Sequence, residues 1–236
     1  MFTVKEKIWS FVFYLGIFVP LVCQATMTPK HDSLAFKSSS ILNGLSSKDV
    51  QSVYQDRDGY IWISTRNGLF QYDGYSITTY KSNLYCPDLL TSNNIMCVAE
   101  DAQHRLWIGT YNGLNVLDKR TGKIRKIENA EVAGTGTSQI LVTSDNRILF
   151  ATEGGLLEYL EDENRFLAFN QSNTDGVFPR TTVKSLFEDD RGDIWIGTWS
   201  EGLFRYETKT GKYWKYPRMN VGNSAHVVFQ DSHRDV

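Results

Sequence analysis

The strongest constraint on this chain is that it repeats itself. Residues 60–73 (YIWISTRNGLFQYD), 105–118 (RLWIGTYNGLNVLD), 147–160 (RILFATEGGLLEYL) and 193–207 (DIWIGTWSEGLFRYE) align on one pattern. Counted from Trp62, the counterparts Trp107, Leu149 and Trp195 follow at intervals of 45, 42 and 46 residues. Helical and β repeats share this range of periods, so the pattern inside each unit decides between them. Apolar residues alternate within each unit rather than recurring every three or four positions, as half-buried strands require.

The first unit reads as four strands. Residues 50–55 run into the turn Asp56-Arg57-Asp58-Gly59, where carboxylates and a glycine favour chain reversal. Residues 60–65 return, Arg66-Asn67-Gly68 turns, residues 69–72 lead out, and residues 77–80 close the unit. First strands of later units are expected at 95–100, 140–143 and 183–188, with outer hairpins at Lys119-Arg120-Thr121-Gly122 and Thr208-Lys209-Thr210-Gly211. Four strands per period of this length predict an all-β fold, the β-propeller. We expect about four four-stranded blades and the start of a fifth, an incomplete ring.

Blades packed face to face need large flat side chains to fill the widening gap and small ones where backbones approach. Trp62, Trp107 and Trp195, with Leu149 in the third copy, are expected to supply the first; Gly68, Gly113, Gly155 and Gly202 the second. A stripe of aromatics could also stack on carbohydrate, but its recurrence at fixed repeat positions points to core packing. The expected repeats span about 41–85, 86–130, 131–175 and 176–220, with a truncated fifth at 221–236 whose first strand is residues 224–231.

The N-terminus has another character. Lys5 and Lys7 precede an apolar run over residues 8–22, broken by Pro20 shortly before Cys23-Gln24-Ala25. This is the pattern of a secretory signal over residues 1–25, and the run is shorter than the roughly 20 residues a membrane-spanning helix needs. Cleavage is expected after Ala25, with residues 26–236 forming the exported part; lipidation at Cys23 is disfavoured because Pro20-Leu21-Val22 lacks the small neighbour. The net charge of −2 becomes −3 on losing Lys5, Glu6 and Lys7. No cluster of Lys and Arg is present to draw a phosphate backbone, which argues against nucleic acid as a partner. Cys86 and Cys97 would then remain, permitted to pair in an exported compartment but not required to.

These copies resemble the two-component regulator propeller repeat, an acidic turn leading into Trp-Ile-Gly-Thr, then Gly-Leu and a Tyr-Asp pair. The matching residues of the first unit are Asp56, Asp58, Gly59, Trp62, Ile63, Ser64, Thr65, Gly68, Leu69, Tyr72 and Asp73. Trp-Ile-Gly-Thr is intact at 107–110 and 195–198, while the third unit departs with Leu149-Phe150-Ala151-Thr152. Leu42-Asn43-Gly44-Leu45-Ser46 is similar to the lead-in ahead of this family's first blade. The resemblance implies the periplasmic sensor half of a hybrid two-component system of the Bacteroidetes type. In such systems two seven-bladed rings precede an immunoglobulin-like domain, a membrane helix, a histidine kinase and response-regulator parts, which implies that the incomplete ring here is part of a seven-bladed propeller. It further implies an oligosaccharide ligand, a homodimeric parent protein and control of polysaccharide-utilisation genes.

No catalytic residue, metal site or cofactor is expected from the sequence. His31, His104, His226 and His233 have neither a kinase context nor metal-ligand spacing. Glu161-Asp162-Glu163 and Glu188-Asp189-Asp190 could be offered as acid–base pairs, yet both lie where turns need solvated residues. Asp56-Arg57-Asp58-Gly59 begins like a calcium loop and lacks the later ligands. A passive exported scaffold or carbohydrate-binding module of quinoprotein-like type is the alternative function. A propeller glycosidase or lyase would need carboxylates converging on the central channel.

Overall fold

The computed structural model describes residues 49–86, 89–216 and 224–231, with His233 and Val236. The expected signal over residues 1–25, His31, a strand expected at 34–37 and the lead-in at 42–46 lie outside the described residues. Among the described residues sixteen strands form four antiparallel sheets of four, each in chain order. Sheet 1 holds β1 (Val50–Gln55), β2 (Ile61–Thr65), β3 (Gly68–Tyr72) and β4 (Ile77–Tyr80). Sheet 2 holds β5 (Ile95–Glu100), β6 (Arg105–Thr110), β7 (Gly113–Asp118) and β8 (Lys123–Lys126). Sheet 3 holds β9 (Thr137–Val142), β10 (Ile148–Thr152), β11 (Gly155–Leu160) and β12 (Arg165–Ala168). Sheet 4 holds β13 (Val183–Glu188), β14 (Ile194–Thr198), β15 (Leu203–Glu207) and β16 (Lys212–Lys215).

The sheets are propeller blades. First strands β1, β5, β9 and β13 lie beside one another in succession, so each sheet radiates outward from its first strand. Among the described residues the arc is not closed into a ring. Each gap between neighbouring sheets holds one apolar cluster: Trp62 with Leu106, Ile108 and Leu117; Trp107 with Phe150, Tyr159 and Phe166; Leu149 with Leu186, Ile196 and Phe204. Trp62, Trp107, Leu149 and Trp195 all sit on second strands and all are buried.

The residue of Trp-Ile-Gly-Thr that brings backbones together is its glycine. A Cβ on Gly109 would lie 2.6 Å from Cys97 Sγ and 3.0 Å from the side chain of Thr137 on the next sheet. On Gly197 it would lie 2.5 Å from the carbonyl oxygen of Ala225. Gly68, Gly113, Gly155 and Gly202 stand where the tight turn between second and third strands ends; Gly68 N–H donates to Asn93 O at 2.7 Å and Gly113 N–H to Thr135 O at 3.1 Å, ahead of the following sheet. Each of the four has positive φ, reaching 139° at Gly155.

Two expectations require correction. The third sheet begins at Thr137 rather than 140, because its polar start faces a neighbour rather than solvent. Gln139 donates from Nε2 to Leu186 O at 2.9 Å and accepts from Leu186 N–H at 2.8 Å, bonding to β13 of the next sheet. Residues 224–231, expected as a strand, do not form one in the structure. They nevertheless lie against sheet 4: Ala225 N–H donates to Thr198 O at 2.8 Å, and Asp190 N–H donates to Gln230 Oε1 at 3.1 Å.

Candidate functional site

The acidic turn and the tryptophan of the repeat form one device. Asp56 accepts from Asp58 and Tyr60 N–H through Oδ1, and from Trp62 Nε1–H at 2.8 Å through Oδ2. Asp101 does the same for Gln103, Arg105 and Trp107, and Asp189 for Arg191, Asp193 and Trp195. A buried indole N–H needs an acceptor, and a carboxylate facing three donors keeps its charge without a solvent shell. In the third sheet both partners change together: Thr143 holds the place of the aspartate and Leu149 that of the tryptophan. Thr143 Oγ1 still accepts from Arg147 N–H at 2.9 Å.

Burial works to raise the Asp56 pKa, and hydrogen bonds from Lys119 and Trp62 overcome it, holding the carboxyl below its ordinary value. Asp189 is likewise raised by burial and lowered further by Trp195 and the backbone N–H groups of Asp193 and Arg191. Threonine completes the frame: Thr65, Thr110, Thr152 and Thr198 each donate from Oγ1 to the carbonyl of Gly68, Gly113, Gly155 or Gly202, at 2.7–2.9 Å.

The carboxylate groups named from sequence are dispersed into structural duties. Glu161 pairs with Arg105 across sheets, Glu163 with Arg165, and Glu188 accepts from Ser144 N–H of the preceding sheet at 2.7 Å. Among the described residues no three His, Cys, Asp or Glu side chains group to hold a metal. Cys86 and Cys97 are free thiols, the first exposed and the second buried, with burial pushing the Cys97 pKa up to about 12.

A different set stands apart from this framework. The residue after each repeat threonine is Arg66, Tyr111, Glu153 or Trp199, and all four side chains are exposed at the same end of the sheets. Their backbones are fixed identically. Arg66 N–H donates to Asp49 O, Tyr111 to Asn94 O, Glu153 to Gly136 O and Trp199 to Thr182 O, at 2.9–3.3 Å. Tyr111 is 58% and Trp199 54% exposed. Lys184 Nζ lies 5.1 Å from the Trp199 ring, and the His226 ring packs edge-on against it. Rigid hydrogen-bonded turns therefore present a cation, a phenol, a carboxylate and an indole from equivalent positions. The signal was present in the sequence, since this position varies immediately beside an almost invariant threonine. It is hidden by reading the repeat for what recurs.

Comparison with known proteins bears on this division. Residues 44–67, 89–112 and 178–200 match the two component regulator propeller family. Three of the chain's four repeats match that family. Each matched stretch ends within or just after the tight turn that bears Arg66, Tyr111 or Trp199. The unmatched third repeat is the one that exchanges the Asp–Trp pair for Thr143 and Leu149, and it folds as the same four-stranded sheet.

A curated relative, histidine kinase P4 of Formosa agariphila, is 33% identical over 58 residues, covering 25% of this chain and 4% of that protein. An extracellular domain assigned to a hybrid two component system of B. thetaiotaomicron superposes with a TM-score of 0.63 at 25% identity, over 81% of this chain and 25% of that one. Virginiamycin B lyase from Staphylococcus aureus superposes at 0.60 with 14% identity, over 79% of this chain and 61% of that one, a likeness of fold alone. The chain thus spans a quarter or less of the length of these two signalling relatives.

Proposed function

We propose that this chain is the extracytoplasmic ligand-sensing propeller of a two-component signal transduction system, and that its ligand is a glycan fragment. The regulator propeller repeats and the likeness to an extracellular sensor domain support the signalling context. The exposed quartet Arg66, Tyr111, Glu153 and Trp199 carries the saccharide reading. Aromatic faces stack on the C–H faces of sugar rings, while a guanidinium and a carboxylate hydrogen-bond to hydroxyl pairs. Residues 1–25 direct export to the periplasm. The parent protein is a homodimer that passes a change in geometry to its kinase.

The test is calorimetric titration of an oligosaccharide panel into the protein, alongside autophosphorylation of its full-length parent with and without each sugar. One sugar class should bind and change phosphorylation together. Binding with no effect on phosphorylation would remove the sensing role, and failure of every sugar would remove the glycan.

A further inference from the structure

Neighbouring sheets in this chain close their outer gaps differently, and one gap is left open. Between sheets 2 and 3 the outer wedge is filled by two rings from sheet 3, Tyr159 and Phe166, buried beside Trp107 and Phe150. Trp107 and Tyr159 centroids are 5.0 Å apart, and those of Tyr159 and Phe166 5.2 Å. The wedge is then capped by Arg105 of sheet 2, which donates from Nη1 to Glu161 of sheet 3 at 2.8 Å. Between sheets 3 and 4 the same two places hold Tyr206 and Tyr213, stacked at 4.7 Å, with the Arg147 guanidinium 5.2 Å over the Tyr206 ring.

Strand register identifies the counterparts between sheets 1 and 2. Leu117 pairs with Leu106 as Tyr159 pairs with Ile148, and Ile124 pairs with Leu117 as Phe166 pairs with Tyr159. Both filling rings are thus aliphatic here. The capping pair is also gone: Tyr60 stands in the place of Arg105 and Lys119 in that of Glu161. Lys119 Nζ turns inward to Asp56, Asp58 and Glu100, at 2.8, 2.6 and 3.0 Å.

What remains is a cleft of about 430 Å³ lined by Tyr60, Trp62, Gln71, Tyr80, Leu117 and Lys119, with Asp58 at its mouth. Trp62 and Tyr80 form one aromatic wall, their centroids 5.5 Å apart. The volume lies within the range of about 300–1,000 Å³ typical of small-molecule sites. We propose that this rim cleft binds a small aromatic amine, whose ring takes the place that Tyr159 occupies one sheet further on. The sign of the ligand follows from Asp58, the one exposed member of three carboxylates that already pair with the Lys119 ammonium, and from the electron-rich faces of the aromatic wall. Asp58, half exposed, offers the carboxylate oxygen that would meet the amine. This pocket is separate from the turns bearing Tyr111 and Trp199 and does not depend on how those turns are used.

The probe is tyramine, with phenylacetate as its charge-inverted control, titrated into the wild-type protein and followed by calorimetry and tryptophan fluorescence. Tyramine should bind and phenylacetate should not. Leu117→Tyr, which restores the ring present at Tyr159, should weaken tyramine by at least about tenfold, equivalent to about 1.4 kcal/mol. It should melt at or above the wild-type temperature. Asp58→Asn, a substitution on an exposed turn that leaves the cleft's walls in place, should weaken tyramine severalfold. Absence of tyramine binding to wild type, equal binding of phenylacetate, or undiminished binding to either folded variant would overturn the proposal.

Discussion

At the scale of residues, the repeat is a short circuit of hydrogen bonds around a buried indole. Deleting the Trp107 side chain removes its packing on Phe150 and Tyr159 and one donor to the buried Asp101 carboxylate, which keeps its bonds from Arg105 and Gln103. Trp107→Ala is expected to cost roughly 3–5 kcal/mol, measurable by urea denaturation. Asp101→Asn should also lose stability, because the amide keeps one acceptor oxygen and turns its NH2 toward N–H groups that the second carboxylate oxygen accepted from.

The depressed pKa values of Asp56 and Asp189 fix a sign for acid sensitivity. Each folded pKa lies below the unfolded value of about 3.9, so the stabilisation is present above that pH and is lost as pH falls through the folded values. Melting temperature should therefore drop steeply below about pH 4, and Asp189→Asn should flatten the drop. A variant curve parallel to the wild-type one would contradict the clasp. The sequence disclosed the acidic turn and the tryptophan separately. Their bond was not legible, because residues six apart meet only once the hairpin has folded.

At the scale of elements, alternation and turn chemistry located the strands well wherever one face is apolar and the other polar. β1, β4, β5 and β13 end where alternation places them. β2 starts one residue later than expected, and β9 starts earlier. At β9 the reason is Gln139, whose amide bonds across to Leu186, so a polar side chain there serves an inter-sheet contact that a single strand cannot reveal. The spacing of sheets depends on Gly109, whose φ is ordinary and whose role is purely steric. Gly109→Ala should force Cys97 and Thr137 apart and lower stability by about 1–3 kcal/mol, as overpacking does. A thermal melt within experimental error of wild type would show that the sheets can separate freely.

At the scale of the whole molecule, the four repeats divide into two populations of positions. One is buried, recurs in every sheet or changes in matched pairs, and builds the propeller. The other, the residue after each threonine, is exposed and differs in every copy. Periodicity exposes the first population and conceals the second, and for that reason the fold was legible from sequence while the candidate ligand face was not. The most direct measurement sets one tryptophan from each population side by side: saccharide binding and thermal melting of Trp107→Ala and Trp199→Ala, each against the wild type. Trp199→Ala should melt with the wild type and lose at least about tenfold in affinity, while Trp107→Ala should melt several degrees lower. A Trp199→Ala protein that binds as tightly as the wild type, or that loses its fold, would contradict the division on which this account rests.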